Sequence, residues 1–86
     1  MTDAYMEARE LLRLMPDEVR SVLEVKKYIE AIRAMRGDDE VAHSAEDDLR
    51  AGVLKAIAKG DCDDEPDELC AAVLETNNIK FNRWCA

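Results

Sequence analysis

The sequence predicts an all-α protein, a small single-domain bundle of about four helices. Three observations lead there. At 86 residues the chain is long enough for one core and too short for two. Apolar residues make up 48% and charged residues 37%, with three glycines and two prolines, the composition of a folded helical protein and not of a disordered tail. Apolar positions recur at helical spacing, and nothing alternates with period two over a strand length.

The first helix is expected near 3–14. Ala4, Ala8, Leu11, Leu12 and Met15 fall on one stripe, opposite Glu7, Glu10 and Arg13, and Thr2 or Asp3 suits the N-cap. Pro16 interrupts that stripe and can open a second helix, 16–36, with Asp17 and Glu18 well placed in its first turn. Val19, Val22, Leu23, Ile29, Ile32 and Met35 line one side of it, and Gly37 suits a left-handed position that ends it. Residues 37–44 read as a loop. Ser44 with Asp47 resembles a capping box and starts the third helix, 45–59, which carries Leu49, Val53, Ala56 and Ile57 and stops at Gly60. Pro66 opens the fourth, 66–76, with Leu69, Ala72 and Val73 turned inward, before Asn77-Asn78 breaks it. The expected core is Leu11, Val22, Ile29, Ile32, Leu49, Val53, Ile57, Leu69 and Val73. Phe81 and Trp84 in the tail are expected to fold back on the third and fourth helices, since each aromatic covers much apolar area.

Charge is divided unevenly. Residues 1–36 hold seven basic and seven acidic side chains, so residues 37–86 carry the whole net charge of −8. Twelve acids fall in three clusters: Asp38, Asp39 and Glu40; Glu46, Asp47 and Asp48; and Asp61, Asp63, Asp64, Glu65, Asp67 and Glu68. These twelve are the candidate partner-binding residues. Such a balance disfavours direct contact with nucleic acid, which depends on a surplus of Lys and Arg. A helix-turn-helix built on the third and fourth helices would present Asp63-Asp64-Glu65 to phosphates.

Other chemistries find little support. The Asp61–Glu68 run lacks the calcium-loop pattern, with Pro66 at position six and Ala72 at position twelve where Gly and Glu belong. Cys62, Cys70, Cys85 and His43 lack the paired knuckle of a structural zinc site. No nucleophile elbow and no glycine-rich phosphate loop occurs, so no enzyme activity, catalytic residue, cofactor or metal is expected. Three cysteines without a C-x-x-C pair fit reduced thiols and no intrachain disulfide. The Met1–Tyr5 start lacks a signal-peptide pattern, and no apolar run approaches the ~18 residues a membrane span needs. The expected setting is the cytoplasm, without membrane contact.

The segments Ala45-Glu46-Asp47-Asp48-Leu49-Arg50, Val53 through Gly60, and Asn78 through Ala86 are similar to small uncharacterised proteins encoded by bacterial phages and prophages. That resemblance covers about half the chain and implies a bacterial or phage setting. Small acidic proteins there include inhibitors of host nucleic-acid enzymes, anti-CRISPR factors and DNA mimics among them. The expected function is a non-enzymatic protein–protein interaction module. Its partner is another protein with a basic surface, or a second copy meeting the neutral N-terminal helix pair. The alternative is an acidic inhibitor or nucleic-acid mimic that occupies a basic groove on a host protein.

Overall fold

The computed structural model describes residues 3–83, and among them every regular element is helical: α1 (Asp3–Arg13), α2 (Val22–Ala34), α3 (Asp39–Lys59), α4 (Pro66–Val73) and a 3₁₀ helix (Leu74–Asn78). The all-α bundle read from the apolar spacing is therefore present, although two helix starts differ from expectation.

Residues 16–21 do not join α2. Ser21 is extended (φ −129°, ψ 152°) and its hydroxyl oxygen accepts a hydrogen bond from Glu24 N at 3.1 Å, while Glu24 Oε1 accepts from the Ser21 hydroxyl at 3.2 Å. This reciprocal Ser21/Glu24 arrangement is a stronger start than Pro16 with its two acids. The connection before it is pulled inward instead: Val19 is fully buried, and its N–H donates to Gly52 O at 3.0 Å. A helix at 16–21 would spend that N–H on its own turn.

α3 starts six residues earlier than expected, so 39–44 is helix and not loop. Asp38 is its N-cap, accepting from Val41 N at 3.2 Å. Ala42 and Ala45 are buried on the core side of the added turns, and Ser44 is an ordinary exposed helical position. Gly37 is not left-handed. Among the described residues only Gly60 has positive φ, 72°, and it ends α3 as its spacing suggests. α4 keeps Pro66 in its first turn but closes at Val73, and the chain tightens into the 3₁₀ helix through Thr76, whose buried hydroxyl donates to Val73 O at 3.0 Å.

α2 lies at the centre and packs against α1, α3 and α4. Ile29, Ile32, Leu49, Val53, Leu69 and Val73 of the expected core are buried together with Val19, Val25, Tyr28 and Ile79. Leu11, Val22 and Ile57 sit half-buried at its margin. A second small cluster, Ala8, Ala31 and Met35, joins α1 to α2. The tail folds back as expected as far as it is described. Ile79 is buried, Phe81 packs on the core, and the Arg83 guanidinium lies 3.9 Å from the Phe81 ring centre. Trp84 and Cys85 fall outside the described residues. No helix among the described residues is long and apolar enough to cross a membrane.

Candidate functional site

The twelve acids do not form one patch. From Asp39 to Gly60, α3 spans about 30 Å, so the Asp38–Glu40 cluster and the Asp61–Glu68 run lie at opposite ends of the longest helix. Four of the twelve are tied to the fold. Asp38 caps α3, and Asp39 Oδ1 accepts from Asn82 N at 3.0 Å, holding the returning tail. Asp64 Oδ2 accepts from Val22 N at 2.7 Å, so an acid in the α3–α4 loop satisfies the first N–H of α2. Glu46 is the fourth.

Glu46 departs most from the expectation of an exposed acid, because it is only 1% exposed. Arg83 grips it with two bonds, Nε to Oε1 at 3.0 Å and Nη2 to Oε2 at 2.9 Å, and Arg50 Nη2 lies 3.7 Å from Oε2. Arg83 also donates to the carbonyls of Thr76 (3.1 Å) and Ile79 (3.3 Å). Burial pushes the Glu46 carboxyl up, but the hydrogen bonds from Arg83 and the charges of Arg50 and Arg83 outweigh it, so the net displacement is downward and the group stays ionised. Its charge is spent inside the molecule.

The remaining acids point outward. Asp47 Oδ1 is 3.6 Å from His43 Nε2 on the next turn. At the far end, Asp61 approaches Arg20 at 3.8 Å, whereas Asp63, Glu65, Asp67 and Glu68 are exposed and make no ion pair among the described residues. Asp67 and Glu68 complement the dipole of α4 from its first turn. The basic residues closest in sequence are engaged elsewhere. Lys55 binds Asp17 and Lys59 binds Glu18, each at 2.8 Å, strapping the 14–21 connection to α3. Those hydrogen bonds hold the Asp17 and Glu18 carboxyls below the usual range and raise the Lys59 ammonium.

A groove between α1 and α3 is the feature that sequence reading missed. Because α1 packs chiefly on α2, it leaves one side of α3 uncovered. Leu12, Val41 and Ala45 form the apolar floor of a space of about 400 Å³, with Arg9 and Arg13 on the α1 wall and Glu40, Ser44 and Asp48 on the α3 wall. It continues past Met15, Pro16 and Ala51 to Lys55 as a second space of about 360 Å³, sharing Leu12, Arg13 and Asp48. The α3 wall from Glu40 to Lys55 is therefore about 22 Å long. Arg13 turns away to Glu10 at 2.7 Å, and that hydrogen bond lowers the Glu10 carboxyl. Arg9, Glu40 and Asp48 make no ion pair among the described residues, so the opposed charges are not neutralised across the opening. Neither wall alone announces itself in the sequence. Arg9 and Arg13 read as the solvated face of an amphipathic helix, and the α3 wall begins in a stretch that reads as a loop.

Among the described residues no three His, Cys, Asp or Glu side chains converge to hold a metal ion. Cys62 and Cys70 are free thiols, both half-buried. Comparison of the chain with protein-family models, with curated proteins and with solved structures finds no match.

Proposed function

We propose that this chain is a non-enzymatic protein-binding module and that the groove between α1 and α3 is its binding surface. The observation that carries this reading is an apolar floor between an α1 wall carrying Arg9 and an α3 wall carrying Glu40 and Asp48, three charges that make no ion pair among the described residues. Such a groove suits a helix that brings an apolar stripe edged by acid on one side and base on the other. A non-enzymatic role is supported by Glu46, the one fully buried carboxylate among the described residues, being saturated by arginines and so removed from acid–base work. The likeness of the C-terminal half to phage and prophage proteins suggests the cytoplasm of a bacterium as the setting.

A second reading has its own observation. Asp63, Glu65, Asp67 and Glu68 project from one end of the molecule without ion-pair partners among the described residues. They offer a basic protein surface an anionic contact, as an acidic inhibitor or nucleic-acid mimic does. Capture from a bacterial lysate at low and high salt separates the two. The baits are the wild-type chain, a Ser44→Arg variant whose exposed new side chain fills the groove, and a variant with Asp63→Asn, Glu65→Gln, Asp67→Asn and Glu68→Gln. The groove reading expects Ser44→Arg alone to lose the captured protein, with little effect of salt. Loss with the neutralised acids or with salt, and retention by Ser44→Arg, overturns it in favour of the acidic end.

A further inference from the structure

We propose that the molecule carries a second site, separate from the groove, that takes a phosphate group. It is a cavity of about 260 Å³ beside the C-terminal end of α2, lined by Arg33 and Arg36 on one side and by Asn78, Ile79 and Lys80 on the other. None of these residues lines the α1/α3 groove, so the two readings stand or fall separately.

Charge sets this cavity apart. The chain has 20 acids and 12 bases, yet three bases and no acid line it. The fold takes up the other bases of residues 37–86: Arg50 and Arg83 meet Glu46, Lys55 meets Asp17 and Lys59 meets Glu18. Lys80 is left, with no ion pair among the described residues. Cations complement the dipole at a helix C-terminus, which accounts for Arg33 in the last turn of α2 and for Arg36, whose Nη1 donates to Arg33 O at 2.9 Å. It does not account for Lys80, which the returning tail adds to the same cavity. Converging like charges repel, and a bound anion offsets that repulsion.

Both sides are anchored. Met35, between the two arginines, is fully buried, and Ile79, next to Lys80, is 1% exposed. Glu30 meets Arg33 only at Nε, 3.5 Å away, so both Arg33 Nη atoms lack a partner among the described residues. Asp39, near the tail, is used by Asn82 N. Guanidinium forks match the oxygens of a phosphate, the lysine adds a point charge, and the Asn78 amide adds a neutral donor. A cavity below the roughly 300–1,000 Å³ that encloses a drug-sized ligand suits a single phosphate group and not a whole nucleotide. The group is either free phosphate or the phosphate of a small ester.

Amide NMR titration of the full chain with inorganic phosphate, and separately with methyl phosphate, tests this at constant ionic strength held with sodium chloride. The proposal expects saturating shifts confined to residues 33–37 and 77–81. Saturation by both ligands assigns the site to phosphate esters, and saturation by inorganic phosphate alone assigns it to the free ion. Arg36→Gln/Lys80→Gln should abolish the response, and Lys80→Gln alone should weaken it about tenfold. The single variant, exposed and outside every helix, covers the case in which the double variant does not fold. Lys26→Gln, which removes a base on α2 outside this cavity, should change nothing. Shifts that fail to saturate, that appear equally at Arg9 and Lys26, or that survive Lys80→Gln undiminished overturn the proposal.

Discussion

Gly52 shows how a single missing side chain positions a whole connection. A Cβ built there would stand 2.9 Å from Val19 Cγ2 and 3.4 Å from Val19 N, so α3 admits the buried Val19 of the 16–21 connection only because this position is bare. Val is stiff at χ1 and Val19 is fully enclosed, so it has nowhere to retreat. Gly52→Ala should therefore destabilise the protein by about 1–2 kcal/mol, although alanine favours an isolated helix by about 1 kcal/mol. Urea unfolding measures this, and an unchanged or raised midpoint would show that the connection yields. The Glu46–Arg83 pair acts at the same scale. Arg83→Ala leaves a buried carboxylate facing Arg50 alone, which should cost about 3 kcal/mol. Because the Glu46 carboxyl is held below its ordinary 4.5 in the folded chain, its contribution is complete above that value and drains away as pH falls through the lower, folded one. The stability gap between wild type and Glu46→Gln should thus be widest near neutral pH and close in acid. A gap that widens in acid would mean that burial prevails over the arginines.

At the scale of elements, four helices and most of the core were legible from spacing, while two of the starts were not. Ser21 and Glu24 stand three apart in the sequence as a capping box, yet Pro16 with Asp17 and Glu18 forms a competing start. What decides between them is the Val19–Gly52 hydrogen bond, a contact across 33 positions of chain that no local pattern encodes. The early start of α3 was obscured in a similar way. Gly37 followed by three acids reads as a turn, but Asp38 accepts from Val41 N, and Ala42 and Ala45 gain a core to bury against. Asp64 is the clearest case of an acid whose role depends on tertiary structure, since it completes the start of α2 from a loop 42 positions away. Asp64→Ala should cost about 1–2 kcal/mol and Asp63→Ala almost nothing, although both belong to one acidic run. Thermal denaturation distinguishes them, and equal losses would mean that Asp64 is no more than surface charge.

For the molecule as a whole, net charge and its concentration in residues 37–86 were readable from composition, but the disposition of that charge was not. A 21-residue helix carries the clusters to opposite ends, and pairing draws Glu46 inside. The tail belongs to the same frame, because Ile79 is buried and Arg83 closes on Glu46 across 37 positions of chain. Removing residues 79–86 should therefore lower the melting temperature by several degrees or more, since about 3 kcal/mol is a large part of the stability of so small a domain. An unchanged melting temperature would show that the tail contributes nothing to the bundle. The central claim is that the α1/α3 groove is the face this small bundle offers to another protein chain. Amide NMR spectra recorded with and without the protein that the chain captures test it most directly. Shifts should be confined to residues 9–17 and 40–55, with the Asp61–Glu68 run silent. Shifts centred on that run, with the groove residues unchanged, would contradict it.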